Sequence, residues 1–382
     1  MKETWRWFGP NDNITMPEIM QTGAAGIVTA LHNIPYGKVW SADHIQQHQN
    51  TIKSAGLSWD VVESLPIHES IKIGEGDLRP LFENYRQSMA NLAQNGIKTI
   101  CYNFMPILDW TRTDLAAPVK NGGTCLRFSS KKMAAFEIHM MGITSASDAY
   151  STQTLTEAES WFQQSSNEDR NLLLRSIMSG LPGAFARYDI DSLRTALATY
   201  AGITRDDLRA NYKRFLQEVI PTASDLGLNF CVHPDDPPRD ILGLPRIVSS
   251  AKDIEWIMAA ADTRENGLTL CAGSLGANPK NDVVSIANQF SDRIHFAHLR
   301  NVRKEPSGSF EEAEHLTGDT DMVALIKTLL NAEKEHGYDV PFRPDHGHDL
   351  LGDANRATQA GYPLIGRMRG LAELRGVIHA LS

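Results

Sequence analysis

The sequence predicts a (β/α)8 barrel, the TIM-barrel architecture, with a helical insertion between its third and fourth readable strands. Three observations carry this. Short runs rich in β-branched and aromatic residues recur along the chain. Most are followed by text with helical spacing, and alternating strands and helices imply a parallel sheet. One long interval breaks the rhythm and holds helical text only.

The readable runs are 26–31, 59–63, 98–103, 228–232, 268–271, 293–298 and 340–345. Runs of this length and composition suit strands buried on both faces. An eighth strand is expected within 362–368, ahead of a helix over 371–381. Between 77 and 94, Leu78, Leu81, Phe82, Tyr85, Met89 and Leu92 fall on one helical face. From 145 to 225 the text is almost all helix. Thr156, Ser166 and Thr204 stand as N-cap candidates ahead of acidic residues. The economical reading is a single catalytic barrel domain over 1–382, with 145–225 inserted into one of its connections.

Composition narrows the function classes. The chain has 382 residues, 42% hydrophobic and 22% charged, as an ordinary globular protein does. Its net charge is −9 and no basic stripe is present, so nucleic acid is not an expected partner. The first residues run directly into Gly9-Pro10, unlike a secretory leader, and no apolar stretch reaches membrane-spanning length. Four cysteines are too few for a disulfide framework. A cytoplasmic enzyme, by default a homo-oligomer, is the expected class.

The candidate chemistry sits at strand ends. His233, Cys271, His298 and Asp345 each close one of four consecutive runs. In a parallel barrel the C-terminal strand ends share one mouth, so these four side chains converge there. Two imidazoles, a thiolate and a carboxylate suit a borderline divalent ion, not the all-oxygen sites of Ca²⁺ or Mg²⁺. Open positions for substrate favour five- or six-coordinate Fe²⁺ or Mn²⁺ over tetrahedral Zn²⁺. Cys231 shares a face with His233 one layer deeper and reads as barrel packing.

Several blocks of the chain resemble the mannonate dehydratase family. They include Phe8-Gly9-Pro10-Asn11-Asp12, Thr29-Ala30-Leu31-His32-Asn33 and Val62-Glu63-Ser64-Leu65-Pro66. Further on, Cys231-Val232-His233-Pro234, Cys271-Ala272-Gly273-Ser274, His298-Leu299-Arg300-Asn301 and Arg343-Pro344-Asp345-His346 match as well. The resemblance spans essentially the whole chain. It implies a xylose isomerase-like barrel, one Mn²⁺ or Fe²⁺ ion, and dehydration of D-mannonate to 2-keto-3-deoxy-D-gluconate in hexuronate (glucuronate) breakdown. It matches the four strand-end residues to the family's metal ligands, His346 to a catalytic histidine, and Tyr362 to a catalytic tyrosine.

That reaction removes a weakly acidic proton from C2 and expels hydroxide from C3, so it requires an acid–base pair. On sequence grounds Tyr362 is favoured as base and His346 as acid, with support of Asp345 as the alternative role for His346. For the substrate, Arg300 is the expected carboxylate anchor because its planar fork binds in two places. His68, Trp110 and Arg112 follow strand ends at the same mouth, and His315 lies in a polar stretch, 307–320, long enough for a lid. The rival readings are a sugar isomerase or epimerase on the same barrel and a non-catalytic sugar-acid-binding protein.

Overall fold

The computed structural model describes residues 1–180 and 188–382. Eight parallel strands close into a barrel in the chain order Lys2–Arg6, Gly26–Thr29, Ser58–Glu63, Thr99–Tyr102, Asn229–Val232, Asn266–Cys271, Ile294–His298 and Pro341–Arg343. Seven of these fall on the readable runs. The remaining strand corrects the expectation: it is Lys2–Arg6, paired with both Pro341–Arg343 and Gly26–Thr29. Residues 362–368 form no strand, and the last helix already begins at Leu364.

The reason is legible afterwards. Side chains alternate along a strand, and in Lys2–Arg6 the buried Thr4 and Arg6 share one face while Trp5 takes the other. A strand with polar side chains on its inner face carries no apolar run for the eye to find.

Inside the barrel, Val28, Val61, Cys101, Cys231 and Phe296 form one buried layer, all fully covered. Cys231 therefore packs as expected. Two residues further along three of these strands stand Glu63, His233 and His298, and on Asn266–Cys271 the buried Thr269 is followed in the same way by Cys271, so the alternation that buries one layer lifts a polar layer into the mouth.

The long interval after Thr99–Tyr102 holds the helices Thr152–Gln164, Asn167–Met178, Ile190–Ala198 and Arg205–Leu226. Ser151, Ser166, Asp189 and Thr204 cap them, each accepting a backbone N–H from three residues on. Of the expected cap residues, Ser166 and Thr204 hold that place, whereas Thr156 lies one turn inside its helix.

A second sheet was not expected. Asp114–Pro118, Thr124–Phe128, Phe310–Ala313 and Asn301–Lys304 form an antiparallel sheet beside the mouth. The supposed lid over 307–320 is thus partly strand: Phe310–Ala313 pairs with Asn301–Lys304 on one side and with Thr124–Phe128 on the other. Both hairpins mix charged and apolar residues, so neither gives a clean period. One of them, through Phe310–Ala313, brings Glu312 into contact with Arg300 at the barrel mouth.

Candidate active site

The strand-end residues do converge. His233 Nε2 stands 3.1 Å from His298 Nδ1. The donor atoms of His233, Cys271 and His298 all lie within 4.8 Å of one another. Asp345 is beside this cluster, its Oδ2 3.6 Å from His298 Nδ1 and 3.8 Å from Cys271 Sγ. Its backbone is in the left-handed region, φ 62°, a conformation that Asp tolerates better than most residues and that recurs at functional sites.

The hydrogen bonds around the cluster test whether it fits a cation. His233 Nδ1 lies 2.7 Å from the Pro234 carbonyl, which can only accept, so the ring proton sits on Nδ1 and Nε2 presents its lone pair. His298 Nε2 lies 3.3 Å from Glu63 Oε1 without the geometry of a hydrogen bond, while its Nδ1 faces His233 Nε2. Cys271 Sγ receives the Ser274 hydroxyl at 3.1 Å and the Ser274 backbone N–H at 3.4 Å. One donor atom each of His233, Cys271 and His298 thus turns to one locus, and the Nδ1 side of His233 is turned away from it. This donor set fits a borderline divalent ion, and the outward hydrogen bond of His233 is of the kind that orients metal-ligating histidines.

Behind the cluster lies a buried ionic network. Arg300 donates from Nε to Asp345 Oδ2 (2.7 Å), from Nη1 to Glu312 (2.9 and 3.1 Å), and from Nη2 to Asp236 Oδ2 (2.5 Å) and Ser274 Oγ (3.1 Å). Arg112 holds Asp236 (2.7 and 3.0 Å) and Glu312 (2.9 Å). Arg343 grips Glu63 (3.0 and 2.8 Å) and also donates to Asp345. Burial works against ionising Glu312, but Arg300, His346 and Arg112 overcome it and hold the carboxyl far below its usual range. Asp345 is depressed in the same way, against burial, by Arg343, His346, His298 and Arg300.

This network changes the reading of Arg300. Each arm of its fork already serves a protein acceptor, so although it lines the cavity it is a girder of the site, not a free carboxylate anchor. Gly273 is tied to the same feature, since a Cβ there would collide with the Arg300 guanidinium.

The other expected substrate contacts divide. Trp110 lines the cavity, its ring 5.7 Å from that of His346. Arg112 is buried among carboxylates, away from the cavity lining. His68 caps the short helix Glu69–Ile73, accepting from Ser70 N at 3.1 Å. His315 is buried behind the site, with Nε2 2.8 Å from the Pro344 carbonyl. Being near a strand end is therefore not enough; the loop must also turn inward.

His346 and Tyr362 do meet. Their rings stand edge to face at 5.0 Å, and the Tyr362 hydroxyl lies 3.4 Å from Asp345 Oδ1. His346 Nδ1 is 3.0 Å from Glu312 Oε1. Burial raises the pKa of Tyr362, and although the nearby Arg343 opposes this, burial prevails. Both side chains face one cavity with Arg6, Glu63, Asp109 and His233.

Along the whole chain, residues 1–382, the sequence matches the family model for D-mannonate dehydratase (UxuA). The mannonate dehydratase of Chromohalobacter salexigens is 48% identical over 387 aligned positions, covering 100% of this chain and 99% of that protein. The chain belongs to the mannonate dehydratase family. As a mannonate dehydratase family member it is an enzyme of the hydro-lyase class. The crystal structure of mannonate dehydratase from Streptococcus suis serotype 2 superposes with a TM-score of 0.80 at 32% identity, covering 100% of this chain and 93% of that one. A D-tagatose 3-epimerase-like protein shares the fold alone, with a TM-score of 0.52 at 10% identity over 100% and 98% of the two chains. Among the described residues no helix is long and apolar enough to cross a membrane.

Within this mannonate dehydratase family site, sequence reasoning missed Glu63, Asp236, Glu312, Arg343, Arg6 and Asp109. A signal existed for Arg343, which stands two residues before Asp345, and for Asp236, three after His233. None existed for Glu312. Asp109 is notable because burial pushes its carboxyl up to about 6, with His233 and Lys72 opposing only in part. Asn103 donates to it at 2.8 Å.

Cys271 gives the site a direct test. Replacing it with Ser keeps the shape but substitutes a harder, weaker donor, so bound divalent metal, measured by elemental analysis after desalting, should fall at least ~10-fold. Metal content equal to that of the unaltered protein would remove Cys271 from the ligand set.

Proposed function

We propose that this chain converts D-mannonate to 2-keto-3-deoxy-D-gluconate in hexuronate breakdown, using one Mn²⁺ or Fe²⁺ ion. The observation that carries the proposal is the single cavity in which His346 and Tyr362 face a convergent His233, Cys271 and His298 cluster, with Asp345 at its edge. These four residues would hold the ion. Bound there, it would supply Lewis-acid neutralisation of the charge that gathers on the substrate carboxylate when C2 is deprotonated.

The protein's own groups handle the protons. Glu312 is held ionised with the help of Arg300 and Arg112, and its contact with His346 Nδ1 orients the ring and leaves Nε2 as the nitrogen outside that contact. That arrangement suits a general base at C2, and the imidazolium formed would be stabilised by Glu312. Tyr362, kept neutral by burial, suits the acid that protonates the hydroxyl leaving C3. This reverses the assignment favoured from sequence. The reason is that the cations beside Tyr362, Arg343 and Arg367 at 5.6 and 5.3 Å from the ring, do not outweigh its burial. Loss of the C2 proton and the C3 hydroxyl, as water, leaves an enol that becomes the 2-keto acid.

The test is direct. Protein loaded with Mn²⁺ or Fe²⁺ under reducing conditions and given D-mannonate should form a 2-keto-3-deoxy acid, detected by derivatisation of the keto group. No keto acid with either ion would overturn the proposal.

A further inference from the structure

Among the described residues three arginines line the cavity, and two of these are matched with carboxylates. Arg300 is committed to Asp345, Glu312 and Asp236, and Arg343 to Glu63 and Asp345. Arg6 differs. It ends the first barrel strand on the inward face and is only 5% exposed. Its Nη1 donates to the backbone carbonyl of Glu63, and its Nη2 faces His32 Nε2 at 3.3 Å. Its guanidinium carbon sits 4.7 Å from the centre of the Phe8 ring. Among the described residues no carboxylate oxygen lies within 4.0 Å of its nitrogens, the Glu63 carboxylate being turned to Arg343.

His32 supplies no countercharge either. Burial, and then the charge of Arg6 itself, push His32 down to about 3, so it is neutral and merely accepts. Burial lowers the pKa of Arg6, and the charge of Glu63, acting without a direct ion pair, offsets this only in part. A buried guanidinium with no carboxylate in contact is costly, and a ligand carboxylate would complete it. The two contacts of Arg6 leave N–H groups over, and its fork matches a carboxylate.

We infer that Arg6 is the anion-recognition residue of this cavity: it pairs with the carboxylate of the sugar-acid substrate and discriminates an aldonate from its neutral analogues. The inference rests on the proposed function, because it takes the substrate to be an acid. It moves the carboxylate anchor from Arg300 to a residue on the first strand. Arg6 does so by binding, with no part in proton transfer.

The experiment compares D-mannonate with the neutral D-mannonamide on metal-loaded protein. In Arg6→Met, the Kd for mannonate should rise about 30-fold, the loss expected for one charge-assisted pair, while the Kd for the amide changes less than about 2-fold. Arg6→Lys keeps a cation without the fork and should show an intermediate loss confined to the acid. Should Arg6→Met not fold, Arg6→Lys decides. An unchanged acid-to-amide affinity ratio in the folded variant overturns the inference, as does equal affinity for acid and amide in the unaltered protein. Turnover of mannonate by the unaltered protein separates this failure from failure of the proposed function.

Discussion

His346→Gln should lower kcat for mannonate by ~10²- to 10⁴-fold, the usual contribution of a positioned acid–base group, while metal content and KM stay close to those of the unaltered enzyme. Three features of the structure set this expectation. His346 is outside the convergent His233, Cys271 and His298 cluster, so its loss should spare the ion. Its Nδ1 is fixed by Glu312 at 3.0 Å, which leaves Nε2 as the reactive atom. Its ring abuts Tyr362, so the two groups can work on adjacent carbons of one substrate.

The same pair gives a sharper measurement. If His346 is the base at C2, Tyr362→Phe should still exchange the C2 proton with solvent deuterium while losing elimination. His346→Gln should lose both. Exchange that survives in His346→Gln and vanishes in Tyr362→Phe would restore the assignment favoured from sequence. Metal loss in His346→Gln would instead point to support of Asp345 as its main task.

The sequence was informative where one strand reports on one face. Apolar runs end in His233, Cys271 and His298 because the alternation that packs Cys231, Thr269 and Phe296 inside the barrel carries the next inward residue to the mouth. The strand Lys2–Arg6 escaped notice for the same physical reason in reverse. Its inner face carries Thr4 and Arg6, so the strand that closes the barrel and brings Arg6 to the cavity reads as polar text. Glu312 was beyond reach of any local pattern, because it arrives on an antiparallel hairpin from the second sheet. With it went the meaning of Arg300, whose partners Asp236, Glu312 and Asp345 belong to three separate segments and meet only in space.

Arg300→Met should destabilise the protein by ~3–5 kcal/mol, the cost of stripping one partner from a buried ionic network. Arg300 is 1% exposed and serves three carboxylates that are themselves buried: Asp236, Glu312 and Asp345. Arg112 and Arg343 would remain, Arg112 on the same Asp236 Oδ2 and Glu312 Oε1 that Arg300 serves and Arg343 on Glu63 and the other oxygen of Asp345, so three carboxylates would share two guanidinium groups in place of three. Negative charge would then lack compensation in a region closed to water. Arg300→Lys should rescue only part of the loss, because one ammonium cannot span Asp345, Glu312 and Asp236 as the fork does. The comparison that isolates burial is Arg86→Met, whose pair with Glu218 is about one-third exposed on both sides and should be worth ~0–1 kcal/mol. Denaturant unfolding of the three variants provides the measurement, and equal midpoints for Arg300→Met and Arg86→Met would show the network to be no more than a set of surface-like pairs. If the expected gap is found, activity lost in Arg300 variants follows from a loosened Glu312 and Asp345.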